Sequence, residues 1–149
     1  MIFSPFSVSL LPKIEFGAGV LRKAPALAAS YGKRVLLVTG GRSLRASRHW
    51  EALLVGLGQQ GLSWETMQVI GEPSPQLVDD AVRQFKSAKI DVVVGIGGGS
   101  VLDAAKAVAG LLKPGYSRDI LGSLGGLVAP AFLFAAGYAI ALVVIRASA

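Results

Sequence analysis

Two short apolar segments rich in valine are the clearest structural signals in this chain. Arg34–Thr39 (RVLLVT) and Asp91–Ile96 (DVVVGI) are almost continuously apolar. Strands buried on both faces of a parallel sheet show such runs, whereas half-exposed strands alternate between apolar and polar positions. Ser63–Ile70 (SWETMQVI) does alternate, so it predicts a third strand with one exposed face.

Helical periodicity separates and follows these strands. In Gln76–Ala88, apolar residues recur at steps of three and four, which places them on one helix face. Four segments predict helices: Val20–Tyr31, Leu44–Gln60, Gln76–Ala88 and Ser100–Leu112. The second is weakened by Gly56 and Gly58, because glycine is unfavourable inside a helix. The alternation of strands and helices predicts an α/β domain with a parallel sheet and right-handed crossovers, within residues 1–122.

The composition excludes several classes of protein. A chain of 149 residues is long enough for one domain with a real core. Hydrophobic residues make up 52% and charged residues only 16%, which argues against global disorder. The sequence has no cysteine, which excludes disulfides, thiolate catalysis and cysteine zinc sites, and suits a cytoplasmic location.

The net charge of +6 raises the question of a nucleic-acid partner. The densest basic stretch contains Arg42, Arg45 and Arg48, without the interleaved aromatic residues that would stack on bases. A solvated basic helix face explains these charges more simply. We therefore predict no nucleic-acid partner.

A glycine-rich loop joins the end of the second valine-rich strand to the next predicted helix. Its central residues are Gly97, Gly98, Gly99 and Ser100. Glycines let backbone N–H groups approach an anion closely, and a helix N-terminus adds unpaired donors that suit a phosphate. A plain glycine-rich turn is the alternative, but three glycines each cost about 0.5–1 kcal/mol relative to alanine, which favours anion binding.

Two side chains accompany this loop. Ser100 is predicted to cap the helix, and Asp103 stands at the position of a capping-box acid. For Asp103, a ligand contact and an ion pair with Lys106 remain alternatives. The pattern is neither the GxGxxG fingerprint, because Ser100 replaces the third glycine, nor a Walker P-loop.

A second glycine loop follows the first valine-rich strand. It contains Gly40, Gly41, Arg42 and Ser43. In a dinucleotide-binding unit, an acid in such a loop favours the free 2′-hydroxyl of NAD, whereas an arginine accommodates the 2′-phosphate of NADP. Arg42 without an acid therefore favours NADP over NAD. An ordinary turn with a solvent-facing Arg42 remains the alternative.

These motifs together resemble a known family. Glu72–Pro75 (EPSP), the run Asp91–Ser100 (DVVVGIGGGS) and Pro12–Gly19 (PKIEFGAG) are similar to segments of the iron-containing (group III, metal-dependent) alcohol dehydrogenases. The resemblance covers residues 13–122. It implies a Rossmann-like nucleotide-binding domain, hydride transfer between NAD(P) and an alcohol or aldehyde, and an iron or zinc ion.

The resemblance also implies roles for the two loops. Residues 97–100 would hold the pyrophosphate, with Asp103 near the nicotinamide, and residues 40–43 would surround the adenine ribose. The family's Gly-Thr-Gly-Ser-Glu stretch and its metal ligands, one Asp and three His, have no counterpart in this chain. His49 is the single histidine. We therefore expect a nicotinamide nucleotide partner, no metal ligands, no catalytic residue and no activity of this chain alone.

The end of the chain has a different texture. From Ile120 to Ile145 there is no charged residue, and this run is longer than the roughly 20 apolar residues that span a bilayer. It predicts a hydrophobic C-terminal helix. Three interpretations of residues 123–149 remain: a membrane anchor at 124–145, a buried helix that covers the sheet, and out-of-frame translation. With an anchor, the alternative function is a non-enzymatic nucleotide-binding module held at a membrane. We favour the third, because the resemblance stops where the composition changes.

Overall fold

The computed structural model describes residues 18–112 and 141–146, which contain a four-stranded sheet. The strands are β1 (Arg34–Thr39), β2 (Ser63–Gln68), β3 (Val92–Gly97) and β4 (Ala141–Arg146). Their order is β2-β1-β3-β4, and the first three run parallel. The predicted α/β fold with a parallel sheet is therefore confirmed, and the three predicted strands lie within two residues of their expected bounds.

Of the five α-helices in the described residues, one precedes β1 and the other four lie between the strands. They are α1 (Ala24–Ala29), α2 (Arg42–Arg45), α3 (Arg48–Gln59), α4 (Pro75–Phe85) and α5 (Gly99–Leu112). Single 3₁₀ turns precede α1 and follow α4, at Val20–Lys23 and Lys86–Ala88. The predicted helix at 44–60 is divided because Ser47 is extended and its hydroxyl donates to the Leu44 carbonyl at 2.7 Å.

Gly56 does not end α3, although the sequence predicted a weak helix there. A Cβ on Gly56 would lie 2.7 Å from Cγ of Pro25, which is in α1. The glycine therefore lets α1 pack closely on α3. This close approach compensates for the low helix propensity of glycine.

The helices cover both faces of the sheet. On one face, α1 and α3 pack on side chains such as Val35 and Leu37 of β1. On the other face, α4 and α5 pack on Leu36 and Val38 of the same strand. Burial on both faces explains why β1 and β3 are continuously apolar. β2 lies at the edge, and five of its six residues are exposed.

The predicted C-terminal helix is wrong where the structure describes the tail. Residues 141–146 form β4, which pairs antiparallel with β3, from Val92 opposite Arg146 to Gly97 opposite Ala141. The segment contains Val143, Val144 and Ile145, β-branched residues that favour strands over helices. Pairing also satisfies the backbone groups on the free side of β3. The rest of the tail, residues 123–140 and 147–149, lies outside the described residues.

The membrane interpretation rested on a helix at 124–145. Within residues 18–112 and 141–146, no helix has both the length and the apolar character needed to cross a bilayer. Since β4 occupies the last part of the proposed span, the anchor at 124–145 is not supported.

Candidate functional site

The two glycine loops lie side by side at the carboxyl ends of β1 and β3. β1 and β3 are adjacent and parallel, with Thr39 opposite Ile96, so the loops that follow them leave the sheet at the same level. From β1 the chain goes outward to β2 and then returns across β1 to β3. The strand order therefore reverses between β1 and β3. Ligands of open α/β sheets bind in the crevice at such a switch point.

The loop that follows β3 leads directly into α5. The N–H groups of Val101 and Leu102 both donate to the Gly98 carbonyl at 3.1 Å, which starts the hydrogen-bond ladder of the helix. The N–H groups of Gly99 and Ser100 precede this ladder, as the first donors of a helix do. They point along the helix axis and carry the positive end of its dipole. This end of α5 can therefore bind an anion.

The predicted cap by Ser100 is wrong. Gly99 is already the first residue of α5, so Ser100 lies within the first turn and not before it. The Ser100 hydroxyl instead donates to Oε1 of Glu72 at 3.1 Å. Glu72 lies in the loop that follows β2, and it reaches the glycine loop from a third strand end.

The glycines around this loop fall into two groups. Gly95 and Gly97 are required by packing, because an added Cβ would lie 2.8 Å from Cβ of Ala105 and 2.6 Å from Cγ2 of Val101. Gly98 and Gly99 are exposed, and an added Cβ would meet no atom within 4 Å.

The backbone conformation gives no reason for glycine at these two open positions either. Left-handed φ values occur in the described residues at Gly19, Gly61, Gly71 and Lys89, and not at Gly98 or Gly99. Neither the packing nor φ therefore requires glycine there. The absence of a Cβ at both positions leaves the backbone of this loop open to close approach.

Val101 connects the two loops. Its Cγ2 atom lies 3.4 Å from the position of a Cβ on Gly40, at the end of β1, as well as in contact with Gly97. Val101 is buried, so both loops rest on one fixed side chain of α5. The fold thus holds residues 40 and 97 together.

In the loop that follows β1, Gly41 and Arg42 are exposed, and a Cβ on Gly41 would meet no atom within 4 Å. The backbone of Arg42 and Ser43 forms the start of α2. Arg45 has a different environment, because its Nε donates to Oγ1 of the buried Thr39 at 3.3 Å. Its guanidinium also lies 5.4 Å from the ring centre of Trp50.

Arg45 was not singled out by sequence reasoning as a residue of the loop. The sequence placed Arg45 only in a basic stretch with Arg42 and Arg48. In the structure Arg45 fixes the end of β1, whereas Arg42 is exposed beside the loop. Arg42 is therefore the arginine of this loop that can meet a ligand.

Asp103 lies one turn into α5, where its carboxylate is 65% exposed. Its Oδ1 atom is 3.8 Å from Nζ of Lys106, the ion pair that the sequence offered as one alternative. The partner side chain of Lys106 is only 18% exposed. Because the two atoms are far apart for an ion pair and water screens the exposed carboxylate, this pair contributes little to stability.

A second charged pair lies at the amino-terminal ends of β1 and β3, on the opposite side of the sheet from the glycine loops. Asp91 Oδ1 is 2.9 Å from Nη2 of Arg34, and Asp91 Oδ2 accepts from the backbone N–H groups of Lys33 and Arg34, both at 2.9 Å. The hydrogen bond from the Arg34 side chain, aided by these N–H groups, lowers the pKa of Asp91 from 3.8 to about 2. This pair ties the two strand starts together.

The residues that the structure describes do not fit a metal of the kind that the family uses. His49, the single histidine of the sequence, lies exposed on α3. Among the residues that the structure describes, no three His, Cys, Asp or Glu side chains are grouped so that they could hold a metal ion. Structural and catalytic metals need about three or four such ligands.

Comparison with known proteins identifies the family. A profile of the iron-containing alcohol dehydrogenases matches residues 12–134. This chain belongs to that family. The match extends past residue 122, and so includes part of the apolar stretch of the tail.

The relatives of this dehydrogenase-family chain are longer proteins. It is 35% identical over 112 residues to a probable NADH-dependent butanol dehydrogenase of Bacillus subtilis, which is 73% of this chain and 29% of that protein. It is 31% identical over 99 residues to a glycerol-1-phosphate dehydrogenase [NAD(P)+] of Aeropyrum pernix, which is 64% of this chain and 28% of that protein.

A solved structure agrees with these relatives. NADH-dependent butanol dehydrogenase A of Thermotoga maritima matches with a TM-score of 0.67 and 30% identity, over 84% of this chain and 31% of that one. The α/β fold is therefore that of the family. The chain spans about three tenths of the length of the relatives named here.

Proposed function

We propose that this chain binds a nicotinamide dinucleotide in the crevice between the loops that follow β1 and β3. It would supply the nucleotide-binding part of an NAD(P)-dependent alcohol dehydrogenase, which transfers a hydride between the nicotinamide and an alcohol or aldehyde. The observation that carries the proposal is the open space at Gly98 and Gly99, next to the first N–H groups of α5. Helix N-termini of this kind bind phosphates in many folds.

Each loop has a proposed part in binding. The backbone of Gly97, Gly98, Gly99 and Ser100 would hold the pyrophosphate. Gly40, Gly41, Arg42 and Ser43 would surround the adenine ribose, and Asp103 would lie towards the nicotinamide. The common contact with Val101 supports this division, because it keeps the two loops at a fixed spacing along one ligand.

For the choice of cofactor, we propose NADP over NAD. Arg42 is exposed in the loop proposed for the ribose, and neither this loop nor the rest of α2 contains an acid. A guanidinium there would pair with the 2′-phosphate of NADP. The B. subtilis relative is named for NADH, and the A. pernix relative for NAD(P)+. A direct comparison of the two nucleotides is therefore informative.

The bound nicotinamide would donate or accept the hydride, and the residues of this chain would bind and orient the dinucleotide. Catalysis would need groups that hold and polarise the alcohol or aldehyde, and the described residues do not supply the metal site. We therefore propose that this chain alone has no turnover. Its cytoplasmic location stays a prediction from the sequence.

The test is a titration of the full chain with NADP, NAD and ADP, in which calorimetry measures the binding of each nucleotide. ADP contains the adenosine and pyrophosphate parts that the two loops would hold, so it should bind without the nicotinamide. Saturable binding of all three at a single site is expected. Absence of binding for all three would contradict the proposed function.

A further inference from the structure

Glu72 places a carboxylate at the end of α5 where the proposed function needs an anion site. Its Oε1 atom accepts from the Ser100 hydroxyl at 3.1 Å, and Ser100 is the second residue of the helix. The first turn of α5 contains no acidic residue of its own. The carboxylate of the β2 loop is thus a negative group at the positive end of this helix.

This position has two opposite effects. The carboxylate interacts favourably with the helix dipole and with the hydroxyl of Ser100 when no nucleotide is bound. A pyrophosphate at the same helix end would be repelled by it, and would compete with it for Ser100. Glu72 is exposed and lies in a loop, so the side chain can withdraw.

We propose that Glu72 is a specificity-determining residue of the glycine loop, which weakens the binding of phosphate groups by occupying the N-terminal end of α5 and the hydroxyl of Ser100. This inference rests on the proposed function, because it concerns the same anion site. It assigns to the β2 loop a part in binding, in addition to the loops of β1 and β3. The carboxylate makes binding selective for ligands whose other groups, such as an adenosine, compensate for the repulsion.

The test compares Glu72→Gln with the unchanged full chain. The substitution keeps an acceptor for Ser100 and removes only the charge. We expect ADP to bind about threefold to tenfold more tightly, as removal of one nearby charge predicts at a surface position. The gain should shrink as sodium chloride is raised to about 0.5 M, because salt screens exposed charges. Adenosine, which has no phosphate, should bind equally to both proteins.

The matched control is Glu65→Gln. Glu65 is also exposed, but it lies within β2, opposite Leu36, and away from the loop edge. Glu65→Gln changes the net charge by the same amount as Glu72→Gln and should leave ADP binding unchanged. Equal gains in the two variants would attribute the effect to net charge and overturn the inference.

The remaining outcomes separate this inference from the proposed function. Unchanged or weaker ADP binding in Glu72→Gln, or an equal gain for adenosine, overturns the role of Glu72 and leaves the nucleotide site intact. Binding of ADP only after the substitution would support the role strongly. Absence of ADP binding in both proteins overturns this inference, and absence of NADP and NAD binding as well overturns the proposed function.

Discussion

Gly97 and Val101 are in such close contact that a Cβ on Gly97 would lie 2.6 Å from Cγ2 of Val101. Real Cβ atoms do not approach carbon atoms so closely, so glycine is required there by packing of α5 on the end of β3. The next residue, Gly98, has no such neighbour. Packing therefore explains the glycine at position 97 and does not explain the glycine at position 98.

The first prediction follows from this difference. Gly97→Ala should lower the free energy of unfolding by about 1–3 kcal/mol, the usual cost of forcing an extra methyl into a packed site. Gly98→Ala is the matched control and should leave the free energy of unfolding unchanged or raise it by up to about 1 kcal/mol, because alanine fits there and restricts the unfolded chain. Urea denaturation of the full-length variants measures both. Equal stabilities would show that the contact with Val101 does not constrain the loop.

The second prediction concerns Asp91. Because its pKa is lowered to about 2 in the folded chain, its pair with Arg34 stabilises the fold above pH 4, and this contribution is lost as the pH falls from about 4 to 2. Asp91→Asn should cost about 1 kcal/mol at pH 7, less than the full shift implies, because Arg34 is 45% exposed and water screens the pair.

Its check is the unfolding free energy as a function of pH. The loss of stability between pH 4 and 2 should be smaller in Asp91→Asn than in the unchanged chain. Asp80→Asn is the control, since Asp80 pairs with Arg83 where both side chains are more than half exposed. Parallel pH profiles for Asp91→Asn and the unchanged chain would refute the stabilising role of Asp91.

The third prediction tests the cofactor. Arg42→Ala should weaken NADP binding about tenfold and leave NAD nearly unchanged, because a hydrogen-bonded contact to a charged phosphate contributes about 1.5 kcal/mol. Arg48→Ala, at the exposed start of α3, is the control for loss of one positive charge. Tighter binding of NAD than of NADP by the unchanged chain would refute the proposed preference.

The fourth prediction concerns turnover. The full chain with NADP or NAD, short alcohols or aldehydes, and added iron or zinc should show no metal-dependent change in nicotinamide absorbance. The reason is the mismatch between a metal site of three or four ligands and a chain with one histidine and no cysteine. Metal-dependent turnover would show that this chain does supply the missing ligands.

The central strands could be predicted because burial on both faces requires apolar side chains at successive positions. Arg34–Thr39 is buried on both faces, and its continuous apolar run is the direct result. The division between α2 and α3 was missed, because Ser47 breaks the helix through its own backbone and a local hydrogen bond, within an otherwise helical pattern.

The candidate site shows the same limit. The glycine loops could be found by their spacing, and the strand order then brought them together. The contact of Glu72 with Ser100 joins residues 28 positions apart, so no periodicity reveals it. β4 was predicted as part of a helix because an apolar run of this kind fits both structures until a pairing partner is known.

The most direct test of the account is ADP binding by Gly98→Val, measured by titration calorimetry beside Gly58→Val. A Cβ at either glycine would meet no atom within 4 Å, but Gly58 lies in α3, outside the two loops. Both variants should fold, as judged by urea denaturation. We predict that Gly98→Val loses ADP binding while Gly58→Val retains it. Unchanged ADP binding in a folded Gly98→Val would contradict the assignment of the nucleotide site.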